Sequence, residues 1–306
     1  MVKPFSLLII TTALLISLSG TALCVQEYAI GRAYYMDDIS VSFPMAVIPD
    51  ADGSSFWILD KSDGIVHVSA EGKLLGRICT YDPDKPQSRL EYASDFFFDK
   101  ALGRILITES RQNKVVIFDD KGHYVDSFGK VGFDTGEFDE PRGIVADVEG
   151  NIYVSDYNNH RVQAFDKFGR FLRQMGSLGM EPGKLRRPEG LAIGADGTLW
   201  VADSFNTRIS HFGRDGMVIG VMGDATVMDQ PWGVDAGQNG MIYVADHNGN
   251  CALVMSEVGE VLSRFGEDDE ERGMLAPRRV AVDGQGRVYV TCFATQTVLR
   301  YDPIPE

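Results

Sequence analysis

The sequence predicts an all-β fold of the propeller type, assembled from copies of one four-stranded unit. Three observations predict it. The first is a unit that recurs along the chain and is most complete over residues 138–176. The second is its steady period: the residue ending the second strand of each copy falls at 60, 109, 156, 203, 246 and 292, with gaps of 49, 47, 47, 43 and 46. The third is the pattern inside the unit, where short alternating apolar segments are separated by turn residues. One such unit cannot bury both faces of its sheet, so it needs neighbours of its own kind.

Taken in order, residues 144–147 of the fullest copy are an apolar run ending in a turn acid. Residues 151–156 alternate apolar and polar, 161–165 do the same after a four-residue loop, and 171–175 close the unit before Gly176 breaks it. Further copies begin at Pro188, Pro231 and Pro277, and two weaker ones at Pro44 and Ala93. Upstream, residues 27–35 are strand-like, whereas the last copy ends at Tyr301-Asp302 after only three strands. The N-terminal segment is therefore expected to complete the last blade and remove the open edges of the ring.

The motif Pro-x-Gly-(apolar)-Ala-Val-Asp, then Gly-Asn-(apolar)-Tyr-Val-Ala-Asp, then Asn-x-Arg-(apolar)-x-x-Phe resembles the NHL repeat. The copies beginning at Pro141 and Pro188 match almost residue for residue, and the resemblance covers nearly all of the chain after its first 24 residues. It implies a six-bladed β-propeller of four-stranded antiparallel blades, and a protein whose role is interaction, as most NHL propellers are interaction modules.

Residues 1–24 read as a signal peptide and 25–306 as one propeller domain. Lys3 supplies the basic start, residues 5–18 the apolar stretch and 20–24 the small-residue end, with cleavage after Ala22 or Cys24. Thr21 and Leu23 do not fit the spacing of a lipoprotein signal, so lipid attachment at Cys24, like a retained leader, is the lesser expectation. Export to the periplasm or the extracellular space follows, as a monomeric propeller with no membrane span once the leader is removed. A net charge of −15 repels phosphate backbones and argues against nucleic acid.

Strand direction alternates within a blade. The loops entering each repeat and those after each second strand therefore emerge on one face, the expected ligand surface. The opposite face carries tight turns such as Asp196-Gly197 and Asp215-Gly216. Asp50-Ala-Asp52-Gly53 reads as a β-turn, because the downstream glutamate of a calcium loop is absent. The run Glu267–Glu271 reads as a solvated acidic loop.

The residue after the first position of each repeat should ring the channel mouth: Met45, Ser94, Arg142, Glu189, Trp232 and Arg278. Two guanidiniums, a carboxylate and an indole suit a small anion or an acidic peptide tip. Tyr157, Phe205, His247 and Phe293 are the expected aromatic anchors beside them. The similar peptidyl-hydroxyglycine lyases bind zinc through histidines at such ring positions. Here none of the six is His, and His67, His123, His160, His211 and His247 form no converging set. Asp156 with Arg161, and Asp203 with Arg208, read as structural ion pairs, since an active site would be needed only once. Cys251 replaces the Arg of that pair in the fifth copy and Cys292 the Asp in the sixth, which suggests a Cys251–Cys292 disulfide in an exported protein, the alternative being two separate small buried residues; Cys79 is then unpaired unless Cys24 survives. No haem, zinc, phosphate-loop or nucleophile-elbow motif is present.

The preferred expectation is a non-catalytic scaffold that needs no cofactor or metal and grips an exported protein, a peptide or a small ligand through the loop-rich face. The runner-up is a lyase or hydrolase with a cation in the channel mouth, drawing on Glu189 and the nearby Asn158, Asn206 and Asn248.

Overall fold

A computed structural model describes residues 27–39, 41–266 and 274–304. The expected signal peptide and the acidic run Glu267–Glu271 lie outside the described residues. Six four-stranded antiparallel sheets stand around a common axis. Their inner strands are Pro44–Pro49, Ala93–Asp99, Pro141–Ala146, Pro188–Ile193, Pro231–Ala236 and Pro277–Val282, each packed beside the next around the centre. Blades 1 to 6 are numbered in that order. In the first five the strands follow one another from inside to outside. In the sixth, the N-terminal strand Tyr28–Tyr35 pairs antiparallel with the last strand, Thr297–Pro303. The first segment of the domain thus closes the ring on the last. Tyr34 locks the closure: its ring packs on Phe56 with centroids 4.6 Å apart, and its hydroxyl donates to the Ala70 carbonyl at 2.9 Å.

The repeat motif has a geometric cause. Proline opens a strand without wasting a ladder donor, since its missing N–H falls at the strand end. The glycine two residues later stands where inner strands of adjacent blades nearly touch. A Cβ on Gly143 would lie 2.5 Å from the Glu189 carbonyl oxygen, and one on Gly190 2.7 Å from that of Trp232. Between proline and glycine the register slips, and a similar irregularity occurs at the start of all six inner strands. Such a bulge re-aims the residue it frees.

The acid ending each second strand ties the blade to its entry loop. Asp203 is fully buried; it accepts from the Arg186 N–H at 2.7 Å, Asn206 at 2.9 Å and Arg208 Nε at 2.8 Å. Arg208 also donates to the carbonyls of Met180, Glu181 and Lys184 in the loop leading into blade 4. Asp156 and Arg161 repeat this one blade earlier, with a 2.8 Å bond between them. Burial, only partly offset by these donors, raises the pKa of both aspartates.

The expected disulfide does not form. Cys251, Cys292 and Cys79 are all buried, with no disulfide among them. Cys251 faces Asp246 in its own hairpin and packs in the layer between blades 4 and 5. Cys292 faces Thr297 and packs in the next layer. A whole sheet therefore stands between the two positions that the repeat made look like neighbours.

Candidate functional site

On the loop-rich face the chain builds a two-tier arrangement at the mouth of the central channel. The lower tier comprises the residues released by the inner-strand bulges. Met45, Ser94, Glu189 and Arg278 are at most 1% exposed, while Arg142 and Trp232 keep partial exposure. Arg279 and Asp95 occupy the place that glycine holds in blades 3 to 5. They meet at 3.2 Å and so tie blade 6 to blade 2 across the lumen. Arg279 also donates to the Trp232 carbonyl at 2.9 Å and comes within 4.0 Å of Glu189. The Arg279–Asp95 pair bridges the lumen beneath the mouth.

Charge in this tier is dense. Arg278 stacks on the Trp232 ring, 5.5 Å from its centroid, and forms no ion pair with a described residue. Its Nε and Nη2, like Glu189 Oε2 and Trp232 Nε1, are buried without a hydrogen-bond partner among the described residues. Burial, with Arg142 next, pushes the Arg278 pKa down to about 10. Asp235, held by the Val282 N–H at 2.9 Å, has its pKa pushed up to about 6 by burial, a shift to which Asp95 also contributes.

The upper tier comprises the residues just before each inner strand and just after each second strand. With Arg142 of the lower tier it forms an arc in which rings and cations alternate. Phe293 stacks on Phe43 at 6.0 Å. Lys61 Nζ lies 5.3 Å from the Phe43 ring and 4.4 Å from that of Tyr92. Arg142 lies between Tyr92 and Tyr157, at 5.7 and 5.0 Å. Arg187 lies between Tyr157 and Phe205, at 5.3 and 4.7 Å. In blade 5 Trp232 and His247 stack at 3.5 Å with planes 5° apart, and His247 Nδ1 donates to the Pro277 carbonyl at 3.2 Å. Arg142 is paired with Glu140 at 2.7 Å, whereas Lys61 and Arg187 form no ion pair with a described residue.

The structure thus places Arg142, Trp232, Tyr157, Phe205, His247 and Phe293 around the mouth and sinks Glu189 and Arg278 beneath it. Lys61, Tyr92 and Arg187 were missed by sequence reasoning. Their signal was present: each directly precedes an inner strand or follows a second-strand acid, as Tyr157 does.

The remaining candidates are engaged elsewhere. Asn158 donates to Asp139 and Glu140, and Asn206 to Asp203 and the Gly179 carbonyl. On the opposite face, His67 Nε2 sits 2.9 Å from Ser55 Oγ, and that hydroxyl donates to Asp50. His211, Thr198 and Asp196 repeat the arrangement in blade 4. A hydroxyl that gives its proton to a carboxylate accepts from the imidazole, so neither pair is poised as nucleophile and base. Among the described residues no three His, Cys, Asp or Glu side chains are grouped to hold a metal.

The fold and this mouth define a six-bladed β-propeller. The family model of the NHL repeat matches residues 138–165 and 185–212, so the chain carries NHL repeats. Similar solved structures include virginiamycin B lyase from Staphylococcus aureus, at 18% identity and TM-score 0.62 over 92% of this chain and 89% of that one. A streptogramin B lyase reaches 16% identity and TM-score 0.63, over 93% of this chain and 100% of its own. A chain of a nidogen–laminin complex reaches 20% and 0.58, over 78% and 84%. At such identities the likeness speaks to the fold. No curated protein sequence matches.

Proposed function

We propose that this protein is a non-catalytic, exported NHL propeller that binds an exported protein, a peptide or a small ligand at the mouth of its loop-rich face. The observation that carries this reading is the arc of alternating cations and rings at the channel mouth. A rigid scaffold holds Lys61, Arg142 and Arg187 between aromatic faces, and Lys61 and Arg187 carry no ion pair with a described residue that would compete with a ligand.

The fold is shared with lyases and with a chain of a nidogen–laminin complex, and a fold does not determine function. Local charge favours the binding role. A catalytic cation in this mouth would sit among Lys61, Arg142, Arg187 and Arg278, which repel it. The test is capture from the exported fraction by wild type and by Tyr157→Ala/Arg187→Ala, with circular dichroism confirming the fold of both. Loss of captured material in the variant supports the reading; identical captured material contradicts it.

A further inference from the structure

Three of the four cations at the mouth have no carboxylate partner among the described residues, in a chain holding 44 acidic and 29 basic side chains. Arg104, Arg161, Arg208 and Arg287, which brace the blades, each pair with an aspartate within 2.8 Å. At the mouth, rings replace the acids. Tyr92 has Lys61 and Arg142 within 6 Å of its ring, and Tyr157 has Arg142 and Arg187. Ring stacking satisfies a guanidinium's faces but not its in-plane N–H fork, which is the part that recognises an anion. Beneath them, Arg278 is buried with two nitrogens unpartnered.

We propose that the arc of Lys61, Arg142 and Arg187, backed by Arg278, is the seat of a compact di- or tricarboxylate. This deepens the reading above and rests on it.

Four features choose this ligand chemistry. The rings of Tyr92 and Tyr157 at the centre of the arc each already have two cations beside them, which disfavours stacking a sugar or a base there. The cations are spaced along an arc, with one ring between neighbours, so they match carboxylates spread along a carbon chain better than the single centre of a phosphate. Arg279 and Asp95 bridge the channel beneath the arc, so a compact ligand resting above that pair suits the site better than a long chain threaded through it. The net charge of −15 repels a long polyanion approaching the surface, while a small one sits within reach of the local cations.

The experiment is isothermal titration at low ionic strength with citrate, succinate, acetate and inorganic phosphate. It uses wild type, Lys61→Gln/Arg187→Gln, and Arg170→Gln as a control on an exposed ion pair of blade 3. Citrate should bind more tightly than succinate and far more tightly than acetate. The double variant should lose at least about tenfold in affinity, as expected for two charge-assisted partners, and the control should lose none. Added salt should weaken binding. Phosphate binding as tightly as citrate would overturn the carboxylate assignment. So would citrate binding that the double variant leaves unchanged, or no citrate binding at all. If no anion binds while Tyr157→Ala/Arg187→Ala still loses captured material, the assignment fails and the face remains the ligand surface. If the captured material is also unchanged, both fail.

Discussion

Replacing Arg208 with Met should remove a large part of this protein's stability, and the structure indicates how much. The Arg208 side chain is 10% exposed and Asp203 is fully buried, so solvent screens the pair very little. Arg208 forms one bond to the carboxylate and three to loop carbonyls, at 2.6, 3.1 and 2.9 Å. Methionine fills a similar volume, so the loss is electrostatic rather than a cavity. Removing one partner of a buried pair costs about 3–5 kcal/mol, because the other charge stays desolvated. The three carbonyls lie in a surface loop and can turn to water, so their bonds add little to that figure. Asp203 keeps Arg186 N–H and Asn206 as donors, which places the cost near the lower end. The sign with pH also follows. The folded-state pKa of Asp203 is already raised, first by burial, and losing Arg208 raises it further. A raised carboxyl contributes stability that is present below the unfolded pKa and is lost as pH rises through the folded one. The Arg208→Met deficit should therefore be smaller at pH 5 than at pH 8. Urea denaturation followed by tryptophan fluorescence reads it directly. A deficit under about 1 kcal/mol at pH 8, or one that shrinks as pH rises, would refute the reasoning.

Three further outcomes are expected. Gly190→Ala should destabilise by about 1–3 kcal/mol, because its Cβ would press on the Trp232 carbonyl and the adjacent blade cannot withdraw; an unchanged urea midpoint would mean the inner strands are less tightly set. Asp235, with its pKa pushed up to about 6, contributes stability that is complete below the unfolded value and lost by neutral pH. Asp235→Asn should therefore gain on wild type by about 2–3 kcal/mol between pH 4 and pH 7.5, and a pH-independent difference between the two would show the carboxyl is not perturbed. Tyr34→Ala should cost about 3–5 kcal/mol, measured by thermal melting, and should expose the last strand to pairing with other chains; a melting point within a degree of wild type would disprove the role given to ring closure.

The fold was legible because its causes are local and repeated. Pro141, Gly143 and Asp156 each answer one geometric demand, and the demand recurs in every blade. The ring residues Arg142, Glu189, Trp232 and Arg278 were legible as positions, but their depth was not. Depth depends on the bulge that turns them inward and on Arg279 and Asp95 bridging the lumen from blades 6 and 2. Lys61, Tyr92 and Arg187 escaped notice because no one of them carries a motif; their meaning lies in meeting side chains from neighbouring blades. The cysteines show the reverse error. Their complementary places in the repeat suggested a bond, yet those two places, taken from adjacent blades, face different layers.

The claim at the centre of this account is that recognition belongs to the loop-rich mouth. It is tested most directly by placing a photo-crosslinking residue at Tyr157, or alternatively at Phe168 on the opposite face, and irradiating each protein in an extract of its source cells. The account predicts a discrete adduct from position 157 that competing citrate diminishes, and none from position 168. An adduct from 168 alone, or equal adducts from both, would contradict it.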